Sequence, residues 1–390
     1  MKTVRIDVIL KPDGTAAIAD VIEIQGPVPE PKVIPEGAPV LVVRRADSSE
    51  AFRTVLPDTN LGDEAIGPDG SLSRVASHAD KILSFEIPFP GDGGTLTIEH
   101  AAADQPLHGG RVELQLPSPT RRRRRRAQFT MKADDRWGIH NPNALTLAFM
   151  AEAFTEAQHH IFDATVDRCL ERLEQIEAFQ PVLPALRVMR IYIPSNEDRL
   201  GGDTYFSARF QDKEPKRVLR IDEKRARQTL NDHILTNVQG IVVVNTTEFG
   251  GAGGTTAVVS AHPDWAPDIL AHELGHSLFG LADEYATAGQ NDIHLATEPN
   301  VSRNWERQDL KWADLIPSDN PYPVWTFESS GPHPEGIGAF QGAKYNANYW
   351  RPSYDCKMRD LASPKFCPVC TREIRRHLQH RLIHPNRDLV

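Results

Sequence analysis

The segment His272-Glu273-Leu274-Gly275-His276 sets two imidazoles four residues apart, with a carboxylate directly after the first. Those residue types at that spacing suit metal-assisted hydrolysis. On a helix both rings fall on one face, one turn apart, where they can share one zinc ion through ring nitrogens. Glu273 projects close by and can take a proton from a zinc-activated water as general base. A catalytic zinc needs a third protein ligand and one open position. In the metzincin pattern a glycine after the second histidine lets the chain turn, and the third ligand follows three residues later. Here Gly280 is displaced by one residue and Asp283 stands three beyond it, so the glycine-to-ligand interval is kept. Asp283 is therefore the first candidate for third ligand and Glu284 the second. The plainer readings are a surface helix carrying two ordinary histidines and a carboxylate at a helix end.

A helix must carry the pair, and the local sequence supplies one. Pro267 fits a first-turn position, and Ile269, Leu270, Leu274 and Leu278 form an apolar face. Upstream, Ala144 to Phe179 is rich in Ala, Leu and Glu at helical spacing and is followed by Pro181, which predicts a helix. Leu186–Ile193 and Ile241–Val244 read as strands, Ile221 to Leu230 as a helix, and Thr255 to Ala261 alternates loosely. Such a mixture predicts an α/β or α+β domain.

Residues beyond this helix add a resemblance. His272 to Tyr285, HELGHSLFGLADEY, is similar to the extended motif of the IgA peptidase family of zinc metallopeptidases, metallopeptidase family sixty-four. The resemblance extends upstream to Val244–Gly254 and Ala257–His262. It extends downstream to Arg351–Arg359 and to Phe366-Cys367-Pro368-Val369-Cys370, and Phe154–Ala157 looks like a helix start in the family. It covers roughly residues 140–375, with Ala151-Glu152-Ala153-Phe154 replacing the family's usual glycine-rich lead-in. It implies a metzincin-like catalytic domain, peptide-bond hydrolysis and a polypeptide substrate, though not immunoglobulin A in particular. It implies that Met358 forms a Met-turn beneath the zinc, where a lone methionine is otherwise core filler. Tyr354 is a candidate donor to the oxyanion, with Tyr345 and Tyr349 comparable. In zinc proteases of this type an edge strand pairs with extended substrate, a role open to Thr255–Ala261 beside that of an ordinary core strand.

Cys356, Cys367 and Cys370 cluster in sequence and Cys169 stands apart. The three could include a disulfide, hold a second, structural zinc with His377 as fourth ligand, or be buried reduced thiols.

The first 118 residues read differently. Val4, Ile6, Val8 and Leu10 alternate with polar residues, Pro12-Asp13-Gly14 is turn chemistry, and Ile18–Ile24 looks like a return strand. Val40–Val43, Phe52–Leu56, Ile82–Phe89, Thr95–Glu99 and Val112–Leu116 are further strands, and the set predicts a β-sandwich. Arg121 to Arg126 is a run of six arginines, read as a solvated linker, with a polyanion-binding strip as its rival. The predicted organisation is multidomain: a β-sandwich accessory domain over 1–118, an Arg-rich linker over 119–139, and an α/β (α+β) metzincin-like zinc metallopeptidase domain over 140–390.

Composition bounds these readings. Of 390 residues, 40% are hydrophobic and 25% charged, which is ordinary for a globular protein. Fifty-three acids against 44 bases give a net charge of -9, arguing against a mainly nucleic-acid-binding surface. No apolar run approaches the ~20 residues that span a bilayer. The start carries no apolar signal core, which predicts a cytoplasmic protein, whereas the resemblance leans to secretion. The function expected is a zinc-dependent endopeptidase. The alternative is a metal-binding but non-hydrolytic protein whose β-domain holds a partner.

Overall fold

The structure is a computed structural model that describes residues 3–11, 15–24, 39–56, 63–66, 72–75, 81–100, 112–117, 129–210, 218–233, 237–252, 255–286, 288–289, 296–317 and 322–382. The arginine run, Pro12-Asp13-Gly14, and Gly253 and Gly254 lie outside the described residues. The chain divides into two compact units. One comprises Met1–Gly62, Ala76–Arg126 and Arg227–Thr236, the other Asp63–Val75, Ala127–Ala226 and Asn237–Val390.

The first unit contains β1 (Thr3–Leu10), β2 (Ala16–Ile24), β3 (Pro39–Arg44) and β4 (Glu50–Val55). The hairpin β5 (Asp63–Ile66) and β6 (Leu72–Val75) belongs to the second unit. β7 (Lys81–Pro88), β8 (Thr95–His100) and β9 (Val112–Gln115) return to the first. Its strands form two antiparallel sheets, ordered β2-β1-β7 and β4-β3-β8-β9. Alternation explains the burial: Val4, Ile6 and Val8 of β1 share one core with Leu41 and Val43 of β3, Leu83, Phe85 and Ile87 of β7, and Leu96 and Ile98 of β8.

In the second unit, β10 (Thr130–Ala133), β11 (Leu145–Glu152), β12 (Leu186–Tyr192), β15 (Val238–Val244), β16 (Gly251–Ala252) and β17 (Thr256–Ser260) form one sheet ordered β10-β12-β11-β15-β17-β16. The four central strands are parallel, while β10 and β16 add antiparallel edges. Short β13 (Arg209–Phe210) and β14 (Leu219–Arg220) pair with each other. Among the described residues its helices are α1 (His159–Gln175), α3 (Ala266–Ser277) and α4 (Pro368–Gln379), while α2 (Glu223–His233) begins in this unit and continues in the first. A further sheet contains β18 (Val324–Trp325), β19 (Ala339–Ala343) and β20 (Asn346–Arg351). No helix among the described residues is long and apolar enough to cross a membrane.

One sequence expectation is corrected here and one open alternative is decided. Leu145–Glu152 is a strand, and helix begins only at the short turn before α1. All eight of its residues are buried, as befits the middle of a parallel sheet. A strand covered on both faces shows no alternation, so its apolar run passes for helix. β17, for which an edge role and a core role were both open, pairs with β15 on one side and β16 on the other, and all five of its residues are buried, as in a core strand. A single core joins Leu147, Phe149 and Ala151 of β11 to Phe162, Val166 and Leu170 of α1 and to Ile269, Leu270 and Leu274 of α3. The helix bearing the two histidines is thus fixed against the sheet along its apolar face.

Candidate active site

α3 begins with Pro267 in its first turn, where a missing backbone N–H costs nothing, and buries His272 and Glu273 completely. It stops because Gly280 takes φ +64°, a left-handed conformation open to glycine at no steric cost. The N–H of Gly280 donates to the carbonyl of His276 at 3.2 Å, and that of Leu281 to the carbonyl of Gly275 at 2.9 Å. The chain then doubles back towards the helix.

This reversal brings three ligand atoms together. His272 Nε2 and His276 Nε2 are 3.0 Å apart, and Asp283 Oδ1 lies 3.4 Å from the first and 3.1 Å from the second. Zinc bonds of about 2.0–2.2 Å to nitrogen and oxygen in a tetrahedron imply ligand separations of about 3.3–3.6 Å. The donor set fits such an ion. Each histidine presents Nε2 because its Nδ1 is engaged elsewhere: His272 Nδ1 with the Lys357 carbonyl at 2.9 Å, and His276 Nδ1 with the Leu281 carbonyl at 2.8 Å. Those bonds select the tautomer a metal requires. Burial alone would raise the Asp283 carboxyl, but His276 and His272 beside it hold it well below the usual carboxylate range.

Asp283 and Glu284 part company because their segment is extended. The carbonyls of Asp283 and Tyr285 accept from the N–H groups of Lys344 and Tyr345 at 2.9 and 3.1 Å. The N–H of Glu284 donates the opposite way, to the Met358 carbonyl at 2.8 Å. Successive side chains of an extended chain point to opposite sides. Asp283 faces the histidines, while Glu284 Oε1 accepts from Asn300 Nδ2 at 3.1 Å and lies 3.0 Å from Cys370 Sγ.

The Asp283 carboxylate is held by a residue that the sequence offered for another task. Tyr345 Oη donates to Asp283 Oδ2 at 2.8 Å, and Tyr285 Oη lies 2.5 Å from Tyr345 Oη. Tyr345 sits with Lys344 in the two-residue turn between β19 and β20, both left-handed at φ +59° and +48°. Two consecutive non-glycine residues in that region cost about 1–3 kcal/mol each. Lys344 is anchored by paired contacts of 2.8 and 2.9 Å to the Glu298 carboxylate.

Met358 lies beneath the helix. A Cβ placed on Gly275 would meet Met358 Sδ at 2.3 Å, so a glycine is needed for the two to approach. Lys357, fully buried, donates through Nζ to Asp268 of α3 and to the Leu361 carbonyl, both at 2.6 Å. One loop therefore grips α3 at Asp268 by charge and at His272 by its backbone.

Tyr354 is placed otherwise. Its ring stacks on His333 at 3.3 Å and lies 4.0 Å from the Arg359 guanidinium, and no hydrogen bond or ring contact joins it to His272, His276 or Asp283. With Tyr285, Trp325, His333, Arg351 and Arg359 it lines a cavity of about 290 Å³. Tyr349 is buried in a small cluster with Ala282, Val301 and Ala343.

The four cysteines are free and buried. Burial pushes the Cys169 thiol up to about 12. Cys356, Cys367 and Cys370 gather around Glu284. His377, the fourth ligand in one of the three sequence readings of the cysteines, sets its ring against Phe279 and His380. About two turns of α4 separate it from Cys370.

Tyr345 and Lys357 escaped sequence reasoning as partners of the site. They stand 62 residues from Asp283 and 85 from His272 respectively, and no local pattern marks either. A family model described as IgA Peptidase M64 matches residues 138–331 and 326–378. No curated protein matches the chain.

Proposed function

The chain belongs to the IgA peptidase M64 family of metallopeptidases, and from that premise we propose that it is a zinc-dependent endopeptidase whose reaction centre is His272, Glu273, His276 and Asp283. The observation that carries this reading is the convergence of His272 Nε2, His276 Nε2 and Asp283 Oδ1 within 3.0–3.4 Å, each histidine held by a carbonyl on its other nitrogen. These three would hold the zinc ion, which supplies Lewis acidity to polarise a carbonyl and acidify water towards neutral pH. Glu273 accepts the proton of the attacking water at its carboxylate and returns it to the nitrogen of the leaving amine. Tyr345 orients Asp283 by donating to its Oδ2 while Oδ1 meets the histidines. Tyr354 borders the neighbouring cavity, where its hydroxyl would meet bound substrate in place of the ligands.

In this reading the six-stranded sheet with α1 and α3 is the core of a metzincin-like catalytic domain, expected over 140–390 and extended at its start by the edge strand β10 (Thr130–Ala133). The N-terminal sheets, which share one core, form a β-sandwich accessory domain within 1–118, apart from the β5–β6 hairpin, and the Arg-rich stretch ahead of β10 links the two. The substrate is a polypeptide. Incubating the metal-loaded chain with an unfolded protein tests the proposal: cleavage should stop on chelation and return with zinc. Cleavage that persists in the chelator would overturn it.

A further inference from the structure

Glu284, Cys356, Cys367 and Cys370 form a second group of ligand-type side chains that peptide hydrolysis does not use. All four are buried, and one ligand atom from each lies within 4.8 Å of the others. They arrive from three places: the extended segment after Gly280, the loop after β20, and the first turn of α4. A disulfide would bring two sulfurs to about 2.05 Å. Cys356 Sγ and Cys370 Sγ stand 3.8 Å apart, and every cysteine is a free thiol. Ordinary core packing does not explain the group either, because a carboxylate faces the three sulfurs and its Oε2 is buried without a hydrogen-bond partner.

We propose that Glu284, Cys356, Cys367 and Cys370 bind a second, structural zinc ion. Zinc–sulfur bonds of about 2.3 Å in a tetrahedron place two sulfurs about 3.8 Å apart, and a sulfur and a carboxylate oxygen about 3.6 Å apart. The Cys356–Cys370 distance is 3.8 Å and the Cys367–Glu284 distance is 3.6 Å, with Cys370 closer to Glu284 at 3.0 Å. Four protein ligands close the coordination sphere, leaving no position for water, which marks a structural site. Thiolates select a soft ion, and the carboxylate among them favours zinc over copper(I). Each thiol that binds releases its proton to solvent. Three thiolates and a carboxylate around a divalent ion leave an excess of negative charge. The buried Arg351 guanidinium offsets it, since its charge acts on both Glu284 and Cys356. The N–H of Cys367 points at Cys356 Sγ at 3.2 Å and that of Cys370 at Cys367 Sγ at 3.5 Å, which steadies sulfur anions further.

This second ion braces the first site. Glu284 is the neighbour of Asp283, and Cys356 is the neighbour of Lys357, whose carbonyl holds His272. Fixing Glu284 and Cys356 to one ion fixes both approaches to the histidines.

The test is zinc content of the full chain by elemental mass spectrometry, joined to zinc-edge X-ray absorption. The variant H272A/H276A removes the first site and leaves every cysteine in place. Wild type should hold about two zinc ions per chain, and the variant about one, with sulfur at about 2.3 Å in its absorption spectrum. A variant without zinc, or with zinc bound only to nitrogen and oxygen, would overturn the proposal. Failure of the peptidase reading looks different: the sulfur-bound ion would be present in wild type with no histidine-bound one. E284Q, which keeps the thiols and the shape, should lose the sulfur-bound ion to a chelator at least about tenfold faster. An unchanged rate would remove Glu284 from the ligand set.

Discussion

Asp283 and Glu284 differ by one methylene, and their surroundings assign them to different neighbours. Sequence spacing ranked Asp283 first by its distance from the glycine, but a ranking was all that spacing could offer. The distinction comes from the N–H of Glu284 bonding to Met358 while the carbonyls on either side of it bond to Lys344 and Tyr345. Those partners lie far along the chain, so the alternation is tertiary in origin. Tyr345 was legible only as one of three tyrosines of equal standing. Its contact with Asp283 Oδ2 rests on a left-handed Lys-Tyr turn, where the usual Asn-Gly signal of such turns is absent. Groups that orient a metal ligand typically contribute 10–100-fold to metal affinity or activity. Tyr345→Phe should therefore weaken zinc binding by about that factor at the histidine site, measured by competition with a chromophoric chelator, with the fold intact by circular dichroism. An unchanged affinity would reduce the Tyr345 hydroxyl to a bystander.

At the scale of elements, the helix of the histidines was legible because three signals agree: proline at its start, apolar spacing through its middle and glycine after its end. β11 was not, because a strand buried on both faces loses the alternation that identifies strands, and Ala, Leu, Met and Glu in its sequence favour helix. The Met358 loop was visible only through resemblance. Its physical reason appears in the structure, where Gly275 makes room for the Met358 sulfur and Lys357 ties the loop to α3 through Asp268. Met358 is fully buried, and removing such a side chain costs about 2–5 kcal/mol. Met358→Ala should lower the urea midpoint of tryptophan fluorescence by an amount corresponding to that range, and the wild-type midpoint in the variant would show that the site tolerates a void there.

For the whole molecule, the division into a β unit and a mixed α/β unit has a consequence for measurement. All six tryptophans, at 137, 265, 305, 312, 325 and 350, lie in the unit that carries the histidines. Tryptophan fluorescence thus reports that unit alone. Ligands that bind only the folded state stabilise it by about 2.7 kcal/mol at a hundredfold excess over the dissociation constant. Stripping metal should lower the fluorescence-detected unfolding midpoint accordingly, and restoring zinc should raise it again; a midpoint indifferent to both would mean that no metal is held in the folded unit. The central claim is that Glu273 moves the proton in a metal-dependent peptide hydrolysis. The direct measurement is cleavage of a diverse peptide library by wild type and by Glu273→Gln, with the zinc content of both determined on the same samples. Losing general acid–base catalysis lowers rates about 10²–10⁴-fold. The variant should keep its zinc and lose cleavage by at least that factor. Cleavage by Glu273→Gln at the wild-type rate, or zinc-loaded wild type that leaves the whole library intact, would contradict the claim.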